Sequence, residues 1–457
     1  SATRLSVVLD TESYKNRAYY KILQKDSLNP NTKAIVHCEK YSVGTPGITR
    51  YNSVSQTYDV NPMYEWSESA WTVAYGYPKL CFLYQNRLGL ANTIKDPSTI
   101  WFSRTNNYKD FSTKLEYKDD DPITISVLKP TGISEITGVN AARKLFFFTY
   151  DGEQGIRDEG AITQANKEVI NFTAYGSEPI ETRVIHNRIV FVERGGVAAR
   201  ALIYDYSQEN FEAADLTIPY KHLLTNERII SSEYLGGDYK CYLMLTSAGR
   251  ILVFKYVPDQ RIEACSWFAH PIGKITNMCV INNGTYFDLY IALDVNNYKC
   301  LESMHIEPYQ DGTYLDSYET FSFDEPTDTI QNDSIIPNQE YVVLAQDKIY
   351  KITSDSNRTI TLPDSYSNVT IGLPYVSEAT LIEPNFMSQS STTNYNRKNM
   401  FKAHFECQNS VGFKVGVKNR YRSFKVEYYA EPETGEEPLV LHSVSRNFIM
   451  QSSYLEP

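Results

Sequence analysis

No two of the seven cysteines in this 457-residue sequence sit at CxxC spacing. Cys38, Cys81, Cys241, Cys265, Cys279, Cys300 and Cys407 are scattered and odd in number. That excludes the common zinc and dithiol motifs. Several lie in apolar, strand-like settings such as LCFLY and MCVI. They read as small buried hydrophobes made in a reducing cytoplasm. No apolar run is long enough to cross a bilayer as a helix, and no secretory leader is visible. The opening Ser-Ala-Thr lacks Met and is read as a start that has lost an initiator or a longer N-terminal piece. Basic residues are outnumbered, 44 Lys and Arg against 55 Asp and Glu, for a net charge of −11. An acidic chain is a poor general binder of nucleic acid, because affinity for phosphate comes from Lys and Arg. Solubility explains the charge most simply; a wall past which DNA must slide without sticking is the sharper reading.

Helical periodicity is also scarce. The best stretches are 219–226 (PYKHLLTN) and a turn at 107–111 (NYKDF). Signatures of catalysis are missing too. His37, His186, His222, His270, His305, His404 and His442 never pair at i+2 or i+4, and no HExxH, GxSxG or Cys-His pattern occurs. The Ser-x-Asp-x-Gly-x-x-Trp box of sialidase propellers is absent. A carboxylate pair for glycoside hydrolysis needs no sequence proximity, so 55 acidic residues carry no specificity for it. No catalytic, cofactor-binding or metal-ligating residue is assigned, and no cofactor.

What the chain has in excess is tyrosine: 36 Tyr beside 20 Phe and 4 Trp. Tyr suits half-buried strand surfaces and interfaces, pairing a large apolar ring with a polar tip. Short β-rich runs recur, each broken by turn chemistry. Residues 191–217 (FVERGGVAARALIYDYSQENFEAADLT) show the unit: an apolar strand, a Gly-Gly turn, a second strand and an acidic exit. Similar hairpins pair 85–91 with 99–104, 144–149 with 155–157, 187–193 with 200–206, and 241–245 with 250–256. Two more pair 288–293 with 299–304 and 340–345 with 348–353. Each first strand is largely apolar, as expected of a strand covered on both faces. The spacing of about 45–60 residues is near that of a four-stranded propeller blade, which must stack to bury both faces.

The expected fold is therefore all-β. A propeller-like domain spans 63–353, a β segment occupies 1–62, and a sandwich-type β domain spans 354–457. In the first part, 4–9 and 34–41 read as strands around an Asn29-Pro30-Asn31 loop. In the last, 359–362, 368–373, 398–407 and 412–417 read as strands, 387–396 as an exposed loop and 431–438 (EPETGEEP) as an acidic tip. A set of packed sandwiches is the competing architecture.

Three local features invite a chemical reading. Asp119, Asp120 and Asp121 are adjacent carboxylates that attract a cation only if they converge; without calcium-loop spacing, a solvated turn before Pro122 is simpler. Asp151-Gly-Glu-Gln-Gly155 lacks a Lys-Ser/Thr ending and fits a hairpin turn. Arg194-Gly-Gly196 supplies the positive φ of a tight turn. Asn171, Asn283, Asn332, Asn357 and Asn368 open Asn-x-Ser/Thr triplets that, without a leader, read as chance.

An ordered set of motifs then carries a resemblance. Tyr77-Pro78, Tyr84-Gln-Asn-Arg-Leu88, 99–104 (TIWFSR) and Tyr108-Lys-Asp-Phe111 come first. They continue through 171–177 (NFTAYGS), 187–196 (NRIVFVERGG), 202–206 (LIYDY), Asp215-Leu-Thr217, 369–375 (VTIGLPY) and 412–417 (GFKVGV). The set resembles the tail nozzle family of short-tailed bacteriophages, also called tail tubular protein B. The family's N-terminal segment, rich in Gly, Pro and Arg, has only Gly44-Thr-Pro-Gly47 to match it. The resemblance implies a structural, non-enzymatic virion protein, assembled in the host cytoplasm into the tail. It implies a homo-hexameric tube below an adaptor ring, offering its outside to fibres or other tail proteins. It implies a lumen through which double-stranded DNA passes transiently, retained until adsorption and then ejected. Rival readings are another propeller-type tail plug or stabilisation protein, and a host-glycan hydrolase.

Overall fold

In the computed structural model, residues 70–380 are described apart from short gaps, with strand backbone also described in 4–68 and 398–455. The protein is built almost wholly of antiparallel strands. The chain divides into two compact units. One comprises Ser1–Ala269, Lys274–Asp294 and Tyr298–Ile306; the other comprises His270–Gly273, Val295–Asn297 and Glu307–Pro457.

The first unit contains a succession of sheets, of which sheets I to V are each a meander in sequence order. Sheet I consists of Leu80–Tyr84, Arg87–Ala91, Thr99–Phe102 and Ile123–Ser126. Sheet II consists of Ile136–Ala141, Leu145–Thr149, Gly152–Ile156 and Val169–Thr173. Sheet III consists of Arg183–Ile185, Arg188–Val192, Ala199–Asp205 and Asn210–Asp215. Sheet IV consists of Ile229–Leu235, Cys241–Thr246, Arg250–Val257 and Ile262–Ala269. Sheet V has three strands, Lys274–Asn282, Phe287–Val295 and Tyr298–His305. Nearer the N-terminus, Val36–Lys40, Ala18–Lys25, Arg4–Val7 and Trp66–Glu68 form another four-stranded sheet.

Side-chain alternation makes these sheets stack. In strand Leu145–Thr149, Leu145 and Phe147 join a core with Ile100, Phe102 and Ile123 of sheet I. The intervening Phe146 and Phe148 join a different core with Ile189 and Phe191 of sheet III. Sheet III repeats the device, since Val190 and Val192 pack with Tyr242, Met244 and Phe254 of sheet IV. Successive residues point to opposite faces, so an apolar run feeds two cores at once. The opening strands also meet: that of sheet II packs on that of sheet I, and that of sheet IV on those of sheets III and V. The architecture is propeller-like, as the sequence implied.

Every hairpin expected in this unit coincides with the second and third strands of a sheet. Gly152–Ile156 starts earlier than the expected 155–157 because Thr149 pairs with Gly152 across the turn. The segment read as helical becomes a 3-10 helix, Ile218–Leu224, with Pro at its start.

In the second unit one sheet runs in the order Asp316–Gln331, Thr359–Leu373, Glu340–Ala345, Lys348–Thr353. Residues 353 and 354 thus lie between two strands of a single sheet. The strands expected at 359–362 and 368–373 are one element, because the register shift between Thr327 and Thr329 of the neighbour, opposite Tyr366 and Thr361, accommodates the interruption at Pro363. Tyr341, Val343, Ile360, Val369 and Ile371 centre its core. Further pairs join Lys402–Ser410 with His442–Ile449 and Phe413–Val417 with Arg420–Phe424. The loops expected at 29–31, 387–396 and 431–438, and the 44–47 match, lie outside the described residues.

Candidate functional site

The acidic run at Asp119–Asp121 folds around a buried arginine. Arg87 lies on the second strand of sheet I and is 3% exposed. Its Nη1 donates to the carbonyls of Ser103 at 2.9 Å, Asp121 at 2.7 Å and Asp120 at 3.3 Å; its Nη2 donates to that of Asp119 at 2.5 Å. Burial lowers the Arg87 pKa, with Asp120 and Asp121 opposing the shift. The side chains of the run face a second arginine: Arg104 Nη2 is 2.8 Å from Asp121 Oδ1 and its Nε 3.2 Å from Asp120 Oδ2. The run is the turn that the sequence implied, but it is not simply solvated, because Asp121 is 1% exposed. Its three backbone carbonyls and the carboxylates of Asp120 and Asp121 are engaged with Arg87 and Arg104.

The Asp151–Gly155 segment is also structural. Gly152–Ile156 is a fully buried strand, with Glu153 bonded to Thr173 and Gln154 Nε2 donating to Asn171 at 2.5 Å.

Arg194-Gly-Gly196 belongs to a backbone clasp that appears three times. Two consecutive residues lead into each new sheet. The N–H of the second donates to the turn of the preceding sheet, and the carbonyl of the first accepts from the turn of its own sheet. At sheet II, Ile136 N donates to Pro97 O at 3.0 Å and Glu135 O accepts from Tyr150 N at 3.4 Å. At sheet III, Ser177 N donates to Thr149 O at 2.9 Å and Gly176 O accepts from Arg194 N at 3.0 Å. At sheet IV, Ile229 N donates to Gly196 O and Arg228 O accepts from Ser247 N, both at 2.8 Å. The clasp satisfies backbone groups that strand ladders leave over. It also fixes two glycines. Gly176 has φ +79° and a Cβ there would collide with the Tyr150 carbonyl; Gly196 has φ +70° and a Cβ would lie 2.7 Å from Ile229 O. Arg194 itself reaches Asp151 Oδ1 at 3.4 Å and remains largely exposed.

Between the opening strands of sheets III and IV sits a polar cluster that sequence reasoning missed. Arg183 Nη2 is 2.8 Å from Glu233 Oε2 and 3.0 Å from Glu181 Oε2. Burial raises the Glu233 pKa; Arg183 opposes the shift and Glu181 adds to it. Burial likewise pushes the enclosed Tyr242 hydroxyl up to about 12, with Ser232 opposing. Glu233 is flanked by Ser and Tyr in a mixed strand, so nothing in its local sequence marks a partner fifty residues away.

The remaining singled-out residues are dispersed. His270 Nε2 lies 2.7 Å from Ser317 Oγ and its Nδ1 accepts from Gly273 N at 2.9 Å. His186 occupies a turn at φ 46°, and His404 lies 3.5 Å from Glu406. Among the described residues, no group of three or more His, Cys, Asp or Glu is arranged to hold a metal. Cys241 is buried, as expected, but Cys81 and Cys279 are exposed. Both lie on opening strands where alternation turns them away from the stacked cores. The arrangement as a whole holds sheets to one another; its charged groups serve neighbouring backbone and side chains.

A model of one protein family, described as bacteriophage nozzle protein, matches residues 79–447. The chain belongs to that family. It is a structural protein of a phage tail, and the match runs from the first strand of sheet I into the last strand pairs of the second unit. Among curated proteins, none matches. Solved structures give only distant likeness. A candidate 6-phosphogluconolactonase of Bacteroides fragilis is 10% identical, over 67% of this chain and 95% of that one, with a TM-score of 0.29. AztD of Citrobacter koseri is 10% identical, over 82% of this chain and 100% of that one, with a TM-score of 0.31. Scores this low carry no argument about the nozzle-family chain.

Proposed function

We propose that this chain is one protomer of the nozzle of a short phage tail. Six copies form a ring around a channel that retains the packaged genome and opens for its ejection. The carrying observation is the family match across residues 79–447, which takes in strands of both units. The stacked, clasped sheets support the reading, because a conduit under load needs a rigid wall rather than a reactive cleft. The role is non-enzymatic. The adaptor ring above and fibres or other tail proteins outside are the partners, and double-stranded DNA is a transient passenger. The channel surface is acidic or neutral, so that passing phosphates are not held. Native mass measurement of purified tails, with imaging of the ring, tests this directly. Six copies at the distal end of the tail are expected. A single copy, or a position away from the channel, would overturn the reading; rings of Lys and Arg at the narrowest point would overturn the acidic lumen.

A further inference from the structure

Charge in the second unit is segregated in sequence and matched in form. Residues 306–347 contain ten Asp or Glu and no Lys, Arg or His. Within that stretch lies the strand Asp316–Gln331, which stands at the end of its sheet and, among the described residues, pairs with Thr359–Leu373 alone. Among the described residues no strand pairs with its other edge, and Glu319, Asp324, Glu325 and Asp328 are exposed. The converse stretch is 412–425 (GFKVGVKNRYRSFK), with Lys414, Lys418, Arg420, Arg422 and Lys425 and no acid. It folds as a two-stranded sheet, Phe413–Val417 with Arg420–Phe424, in register from Phe413↔Phe424 to Val417↔Arg420.

Among the described residues, each feature lacks a further strand. A two-stranded hairpin is marginal in water without a further strand. A long open edge is a template for another strand. Two acidic edges repel each other, so like copies do not join edge to edge, whereas a cationic hairpin is attracted to the same edge. Within one chain, the hairpin and this edge belong to separate sheets.

We propose that the 413–424 hairpin of one copy adds to the edge of strand Asp316–Gln331 of a second copy, extending that copy's sheet. The five-residue hairpin strands fit within a sixteen-residue edge. The contact joins two different surfaces, so it propagates head to tail and closes into a ring when the rotation allows. The proposal rests on the ring reading above and supplies the contact between its copies.

Charge reversal in the full chain tests it. One variant carries Lys414→Glu, Arg420→Glu and Arg422→Glu; a second carries Asp324→Lys, Glu325→Lys and Asp328→Lys; a third carries all six. Each half-reversed chain is expected to associate at least ~10-fold more weakly by sedimentation, and the six-fold variant to recover to within about 3-fold. Zero-length cross-linking of the unmodified chain, mixed from 14N and 15N preparations, guards against variants that fail to fold. Mixed-isotope cross-links from Lys414 or Lys418 to Asp324, Glu325 or Asp328 are expected. A ring that forms without those links and ignores the reversals would overturn the pairing alone. Cross-links from these residues to a different tail protein would overturn it too. An unmodified chain that stays single in purified tails would overturn the ring reading with it.

Discussion

Single residues carry much of the architecture through backbone groups. Arg87 gathers four backbone carbonyls, of which that of Asp120 also accepts from Thr105 N at 3.0 Å. Replacing it with Met leaves buried carbonyls unsatisfied, and should cost about 2–4 kcal/mol in denaturant unfolding. Arg87→Lys should recover only part of that, because an ammonium cannot reproduce the planar fork. Gly176→Ala should cost about 2 kcal/mol or more, since it adds a steric clash to an unfavourable φ. Gly284→Ala is the control: φ is +89° but nothing lies within 4 Å, so about 1 kcal/mol is expected. The sequence marks the glycines of turns well, because Gly takes positive φ without the steric cost of a Cβ. It does not mark Arg87, whose partners are main-chain oxygens without residue identity. For the same reason the Asp119–Asp121 run looked like a solvent-facing acidic turn, while its carbonyls were the groups in use.

At the level of strands, the sequence revealed the middle of each sheet and hid its margins. The second strands of sheets II and III are apolar on both faces, since each face meets a different core, and that gives the continuous runs LFFF and RIVFV. Outer strands such as Ile262–Ala269 are mostly exposed and opening strands such as Arg183–Ile185 are short, so neither carries a clear period. The same contrast hid the pair Arg183–Glu233, which joins two opening strands. Its effect is measurable. The Glu233 carboxyl titrates above its ordinary value of 4.5 in the folded chain, so the folded state holds a proton that the unfolded state has released. That contribution to stability is present below the ordinary carboxylate range and is lost as pH rises through the folded value. Glu233→Gln should therefore flatten the fall of unfolding free energy with pH just above 4.5. An unchanged slope in denaturant titrations between pH 4 and 7 would contradict it.

For the whole molecule, two compact units predict more than one step of unfolding. Calorimetry should resolve two transitions, with Gly176→Ala lowering only the one that belongs to the stacked sheets; a single transition moved as a block would count against this. The all-β class was readable from recurring hairpins, and the family from their order along the chain. The pairing of 340–353 with 359–373 was not, because those hairpin strands have the same alternation as the ones before them and pairing partners leave no mark in period. The clasp also has a direction. Each one seats a new sheet on the turn of the sheet before it, so its parts leave the ribosome in the order in which they are needed. A nascent chain that has reached Ser177 already holds both partners of its bond to Thr149, and Arg194 follows seventeen residues later to close the second bond. The stack is thus suited to growth from its N-terminal end during synthesis, with each finished sheet serving as the floor for the next.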